Sequence, residues 1–228
     1  MNYIVIPAYQ PDNKLIKLIE KIHEKSDFCI LVIDDGSSSK CQDIFDKAEQ
    51  YATVLRHQVN QGKGQALKTA FTYIQQQNSY GTVVTADADG QHKIWDIFRA
   101  ANKASDNPNK LILGVRAFTG KVPLRSRFGK SLTKALFKIQ TGVEVADTQT
   151  GLRAFTTSLI PFMLKIEGNR YEYEMNMLLE ATKEYQILEV PIETVYINDN
   201  EGSHFRPIKD GLMIYKNIFK FALSSLSS

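Results

Sequence analysis

The 228-residue chain is predicted to fold as α/β, a mostly parallel sheet flanked by helices. Three observations lead there. Short apolar runs alternate with segments of helical periodicity as far as Gly114, two of those runs end in paired acids, and 43% hydrophobic content suffices for a core. Such alternation implies right-handed crossovers between parallel strands. There is no internal repeat and no Pro/Gly/Ser-rich linker, so a single domain over 1–228 is expected.

Tyr3–Ile6 is apolar and short, as a buried strand requires, and Leu15, Leu18, Ile19 and Ile22 then fall on one helical stripe. A second strand, Phe28–Asp34, precedes a helix over 39–52 and a strand Thr53–Arg56. The glycine-containing stretch Asn60-Gln61-Gly62-Lys63-Gly64 opens a helix over 65–77. Strand Thr82–Asp87, helix Lys93–Ala104 and strand Lys110–Gly114 continue the rhythm, which breaks there. A basic helix over 125–141 leads to the polar segment Asp147–Arg153 and an apolar run to Phe155. Helices near 157–165 and 173–185, strand Ile187–Val195, a polar loop 198–207 and a helix 208–223 complete the chain.

Asp87-Ala88-Asp89 closes one strand and Asp34-Asp35-Gly36-Ser37 another. In open parallel sheets ligands sit in the crevice beyond the strands' carboxyl ends. Hard divalent cations select carboxylate oxygens and keep positions for water and substrate phosphates. Paired acids at two strand ends therefore predict a cradle for a metal and a diphosphate. A lone aspartate there is more often a turn former or helix cap.

Several classes are disfavoured. The net charge of +3, from 28 basic and 25 acidic residues, gives no basic footprint for nucleic acid. Cys29 and Cys41 show neither metal-ligand spacing nor a disulfide framework, which suits a reduced cytoplasmic setting. The N-terminus enters a strand without signal-peptide features, and no apolar stretch reaches the roughly 18 residues of a membrane span. Gly62 and Gly64 lack the spacing of a P-loop.

Pro7-Ala8-Tyr9, Asp34–Ser37, Asn60–Leu67, Asp87–His92, Gly114-Val115-Arg116 and Asp147–Arg153 occur in this order over roughly the first 155 residues. Together they make the chain resemble the inverting family 2 glycosyltransferases of the Rossmann-like GT-A fold. The similarity is greatest to the branch of dolichol-phosphate mannose synthases and bacterial polyprenyl-phosphate glycosyltransferases. The resemblance implies a nucleotide-sugar half over 1–115, an acceptor half over 116–207 and a membrane-proximal C-terminal helix over 208–228. It implies that Pro7 and Tyr9 shape the nucleoside pocket, that Asp35 and Asp87 lie by the base or ribose, and that Lys63 lies near the nucleotide. Arg127, Ser203 and Arg206 are further implied donor contacts. Asp89, with Gln91 as a weaker ligand, would hold Mg²⁺ or Mn²⁺, and Arg116, Asp147 and Gln149 would join Asp89 in catalysis. Departures are Gln10-Pro11, where an Asn-Glu pair is usual, and Asn176 in place of an acid.

By that resemblance the expected reaction moves a hexose from a UDP- or GDP-linked sugar to a polyprenyl phosphate. Transfer to a glycan or teichoic-acid hydroxyl is the alternative, with Glu174 or Asp147 as base. A sugar-phosphate nucleotidyltransferase would carry a Gly-rich basic signature after the first strand, which Pro7–Pro11 is not, and a non-catalytic nucleotide-sugar-binding module would tolerate loss of Asp87 or Asp89. Arg153 is expected either in the site or buried against Asp147. Arg127, Lys130, Lys134 and Lys138 form one helical stripe, with Phe128, Leu132, Leu136 and Ile139 on another face. That pattern suits peripheral contact with the anionic inner face of the cell membrane, or a solvated charged face over a core.

Overall fold

The computed structural model describes residues 1–116 and 124–193, with the backbone alone for 124–132. The side chain of Arg127, the loop bearing Ser203 and Arg206, and the C-terminal helix expected over 208–223 lie outside the described residues. In chain order the elements are β1 (Tyr3–Ala8), α1 (Asn13–Lys25), β2 (Cys29–Asp34), α2 (Gln42–Ala48), β3 (Thr53–Arg56), α3 (Lys63–Gln76) and β4 (Thr82–Thr85). Then come α4 (Ile94–Asp106), β5 (Lys110–Arg116), α5 (Leu124–Thr141), β6 (Arg153–Thr156), α6 (Ile160–Lys165), α7 (Glu172–Glu184) and β7 (Gln186–Ile192).

The strands make one seven-stranded sheet in the order β3-β2-β1-β4-β6-β5-β7. Every pairing is parallel except those of β6, which runs antiparallel to both β4 and β5. Side chains alternate across the sheet as a period of two demands. Tyr3, Val5, Leu31, Ile33, Val83, Leu111, Leu113 and Phe155 face a core shared with α3, α6 and α7. Ile4, Ile6, Ile30, Val32, Val84, Ile112 and Ala154 face the other core, shared with α1, α2 and α4.

Four expected elements differ in detail. Strand 82–87 stops at Thr85, although the Ala86 amide still donates to Val5 (3.0 Å), and the backbone then turns through Gly90 at φ +74°. Helix 39–52 divides into a 3-10 turn, Ser39–Cys41, and the shorter α2, because the Cys41 amide bonds back to Ser38 (3.0 Å). Arg153–Thr156, read as an apolar run, is a strand. Its four residues are too few to show a period, and its first side chain is a buried arginine. In α5 Thr133 and Phe137 are buried among the described side chains, whereas Ile139, expected on the apolar face, is 82% exposed.

Phe155 is fully buried and meets Phe71 edge-on with ring centroids 5.4 Å apart. Truncation in such a core removes transfer energy and leaves a void. Phe155→Ala is expected to lower stability by about 3–5 kcal/mol, measured by urea denaturation.

Candidate active site

The carboxyl ends of β1, β2 and β4 lie along one sheet edge, and the antiparallel β6 begins at that same edge, since Arg153 pairs with Thr85. The segment 147–152 therefore arrives beside Asp87. Its approach is close: a Cβ on Gly151 would stand 2.3 Å from Asp87 Oδ2, so only glycine leaves room for the carboxylate. Thr85 Oγ1 donates to the Gly151 carbonyl (2.8 Å) and ties the segment to β4.

Asp87 is held from two further sides. Lys63, at the start of α3, donates to Oδ1 (2.7 Å), and His92 Nε2 faces Oδ2 at 3.3 Å. The same ammonium reaches Glu174 in the first turn of α7 (2.8 Å). Burial disfavours ionisation of Asp87, but Lys63 and His92 outweigh it and hold this carboxyl well below the usual range. Lys63 moves the other way: burial disfavours its ammonium, yet Asp87 and Glu174 together raise its pKa above that of an ordinary lysine.

Asp89 differs. Burial first, and the Asp87 charge second, push its pKa upward, and its Oδ1 accepts the Gln91 amide (3.0 Å). No hydrogen bond to its Oδ2 occurs among the described residues. A carboxylate destabilised by a neighbouring acid, with an oxygen left over, suits a cation. Asp89 and the Gln91 side chain thus fit a hard divalent ion that retains sites for water and phosphate. A cluster of three or more His, Cys, Asp or Glu residues able to enclose a metal is absent among the described residues.

At the end of β2, Asp35 is buried and accepts four donors: His57 Nδ1 (2.8 Å), Asn60 Nδ2 (3.0 Å) and the amides of Gln61 and Gly62 (2.8 Å each). His57 Nε2 in turn meets Thr69 Oγ1 on α3 (2.9 Å). Asp35 thereby fixes the turn from which α3 starts, where Gly62 takes φ +103°. On the other flank, Arg116 Nε donates to Asp147 Oδ2 (2.5 Å), and Asp147 Oδ1 accepts the Gln149 amide (3.1 Å). Arg153 is 1% exposed and bonds not Asp147 but the carbonyls of Thr150 (3.1 Å) and Glu174 (2.5 Å).

Asp87, Gln91, Arg116 and Gln149 line one cleft, together with His92, Thr150 and Gly151. Pro7 sits in β1 opposite Ile33, and Tyr9 follows β1 and is exposed. Lys63 pairs with Asp87 and Arg116 with Asp147, so these side chains lie at one edge of the sheet. The sequence assigns His92 and Gly151 no role at Asp87, and it offers Glu174 as a base or as an acid suited to a helix's first turn. A histidine five residues after an acid, or a glycine 64 residues away, carries no local signal of contact.

The model of the family described as "Glycosyl transferase family 2" matches residues 3–164. The chain belongs to glycosyl transferase family 2. A UDP-N-acetylglucosamine–dolichyl-phosphate N-acetylglucosaminyltransferase of Methanococcus voltae is 26% identical over 215 residues, 85% of this chain and 85% of that protein. The dolichyl-phosphate beta-glucosyltransferase of Saccharomyces cerevisiae is 26% identical over 252 aligned residues, covering 94% of this chain and 72% of the relative. Among solved structures, glucosyl-3-phosphoglycerate synthase of Mycobacterium tuberculosis, in complex with Mn²⁺, UDP and phosphoglyceric acid, superimposes with a TM-score of 0.70. It is 18% identical, and the match covers 98% of this chain and 78% of that one. This likeness shows the GT-A fold, and family membership makes the protein a glycosyltransferase.

Within this family 2 enzyme, Asp35 joins β2 to the turn before α3. Asp35→Ala strands two backbone amides and the Asn60 and His57 donors, and hydrogen bonds to a charged group are each worth about 1.5–3 kcal/mol. A loss of roughly 3 kcal/mol in thermal or urea unfolding is the expected result.

Proposed function

We propose that the protein transfers a hexose from a UDP- or GDP-linked sugar to a polyprenyl phosphate at the membrane surface, with inversion and with Mg²⁺ or Mn²⁺. The acceptor assignment is carried by how the acids in and beside the cleft are engaged. Lys63 holds both Asp87 and Glu174, and Arg116 holds Asp147. A hydroxyl acceptor needs a carboxylate base within reach, whereas a phosphate, with a second pKa of about 6, is already a nucleophile near neutrality. Carboxylates committed to cations favour the phosphate. The dolichyl-phosphate activities named for the two relatives agree with this choice.

In this reading residues 1–115 bind the donor and 116–207 the acceptor. Pro7, Tyr9 and the turn fixed by Asp35 shape the nucleoside pocket, and Asp87 orients the ribose side. Asp89 and Gln91 hold the divalent ion, which when bound offsets charge on the departing diphosphate. Arg116, whose planar guanidinium can grip phosphate oxygens, lies on the acceptor flank with Asp147 and Gln149. Arg127, Ser203 and Arg206 are assigned to the donor by resemblance alone. In-line attack at the anomeric carbon forms the new glycosyl-phosphate bond as the bond to the nucleoside diphosphate breaks, which inverts the centre.

Membrane contact is peripheral in this reading. No helix among the described residues is long and apolar enough to cross a bilayer. On α5 the outward-facing Ile139 suits a bilayer surface, and Lys138, exposed though paired with Glu144 (2.7 Å), can exchange that partner for an anionic headgroup, each basic residue near such a surface adding about 1 kcal/mol. The site would face the cytoplasm, where nucleotide-sugars are made.

The test incubates the protein with radiolabelled UDP- and GDP-sugars, Mn²⁺ or Mg²⁺ and polyprenyl phosphate, and scores label extracted into organic solvent. Lipid-borne label is expected, reduced about 100-fold or more by Asp89→Ala and abolished by chelation. Label found only on a soluble glycan would favour the hydroxyl acceptor, with Glu174 or Asp147 as base. Sugar 1-phosphate converted to nucleotide-sugar, or binding without transfer, would overturn the assignment altogether.

A further inference from the structure

Glu174 belongs to a helix that contributes no side chain to the cleft described above, yet its carboxylate reaches the Lys63 ammonium at 2.8 Å while the same ammonium holds Asp87 at 2.7 Å. Both ends of this bridge are anchored. The Glu174 carbonyl accepts a bond from the buried Arg153 (2.5 Å), and the neighbouring Tyr173 hydroxyl donates to the Met163 carbonyl (2.8 Å). Lys63 starts α3, where Gly64 lets the two helices touch: a Cβ there would stand 2.5 Å from Tyr173 Cβ. On its other side Asp87 is walled by Gly151. A lysine side chain is long and rotatable, so without a second anion its ammonium could reach Asp87 from many positions. Glu174 removes that freedom.

We infer that Glu174 is a positioning residue of the donor site: through Lys63 it fixes where the Asp87 carboxylate stands against the bound nucleoside diphosphate. The inference rests on the donor reading given above and extends it to α7. It also assigns Glu174 a different task from that of a base. A base acts on the acceptor and leaves nucleotide affinity alone, whereas a positioning residue changes nucleotide affinity and acts through Lys63, the nearer of the two cations beside Glu174, since Arg153 Nε stands 3.9 Å from its carboxylate.

The experiment titrates the full chain with UDP and with GDP, each with Mn²⁺, by calorimetry, and follows the tighter-binding nucleotide. Glu174→Gln and Lys63→Met are each expected to weaken binding about tenfold, the usual scale for groups that support a ligand-contacting residue. The double variant should bind no more weakly than Lys63→Met alone, since both act on one contact. In the transfer assay the donor KM should rise with kcat within about twofold for Glu174→Gln. Wild-type affinity in Glu174→Gln, additive losses in the double variant, or a fall in kcat at unchanged KM would each overturn the inference. Failure of the wild type to bind either nucleotide would instead remove the donor reading itself. Should a single variant not fold, Lys63→Met/Glu174→Met replaces both charges by apolar groups, a change buried pairs commonly tolerate. It is expected to fold and bind nucleotide weakly, and wild-type affinity there also counts against the inference.

Discussion

Acids gathered in a partly dry crevice repel one another, and the architecture of this sheet edge follows from that constraint. Asp87, Asp89, Asp147 and Glu174 converge on it from a strand end, a loop and a helix. In low dielectric such a group persists only with cations supplied close by. The chain supplies Lys63 between Asp87 and Glu174, Arg116 on Asp147 and His92 against Asp87. Asp89 alone of these acids has no cationic side chain paired with it among the described residues, and this leaves it as the position where an external positive ion has most to offer.

Backbone geometry decides which acids can meet. The first strands place Asp34, Asp35 and the Asp87–Asp89 turn along one edge, as parallel pairing requires. Asp35 is then spent within the protein, drawing Gln61 and Gly62 into the turn that aims Lys63. The second half of the chain enters from a different direction: because β6 is antiparallel, its leading segment reaches the crevice at the strand's start and not at its end. Arg153 is the hinge pin of that arrangement, linking Thr150 to the carbonyl of Glu174 from a fully buried position.

Much of this is legible in the amino-acid sequence. Strand and helix order through Gly114 follows from periodicity, and the acids at two strand ends carry their chemistry in plain sight. What escaped was either too short or too distant to signal itself. Arg153-Ala154-Phe155-Thr156 is a four-residue strand with a charged first residue and a small one behind it, so its apolar run carries no alternation that marks it as a strand. Ile139 matches the period of an apolar face yet points outward, because α5 buries Phe137 instead. Glu174 reads as an ordinary acid in a helix's first turn, where the helix dipole alone would justify it; only tertiary contact reveals its link to Lys63.

The position of β6 has a consequence for how such enzymes can be recombined. Strands β4 and β5, consecutive in the chain before α5, do not pair with each other, because β6 from further along is threaded between them. A cut after residue 115 would therefore leave a sheet with a missing plank, not a self-contained nucleotide module. Chimaeras that exchange the later segment must carry the central strand with the graft, because the chain on both sides of that cut builds one sheet.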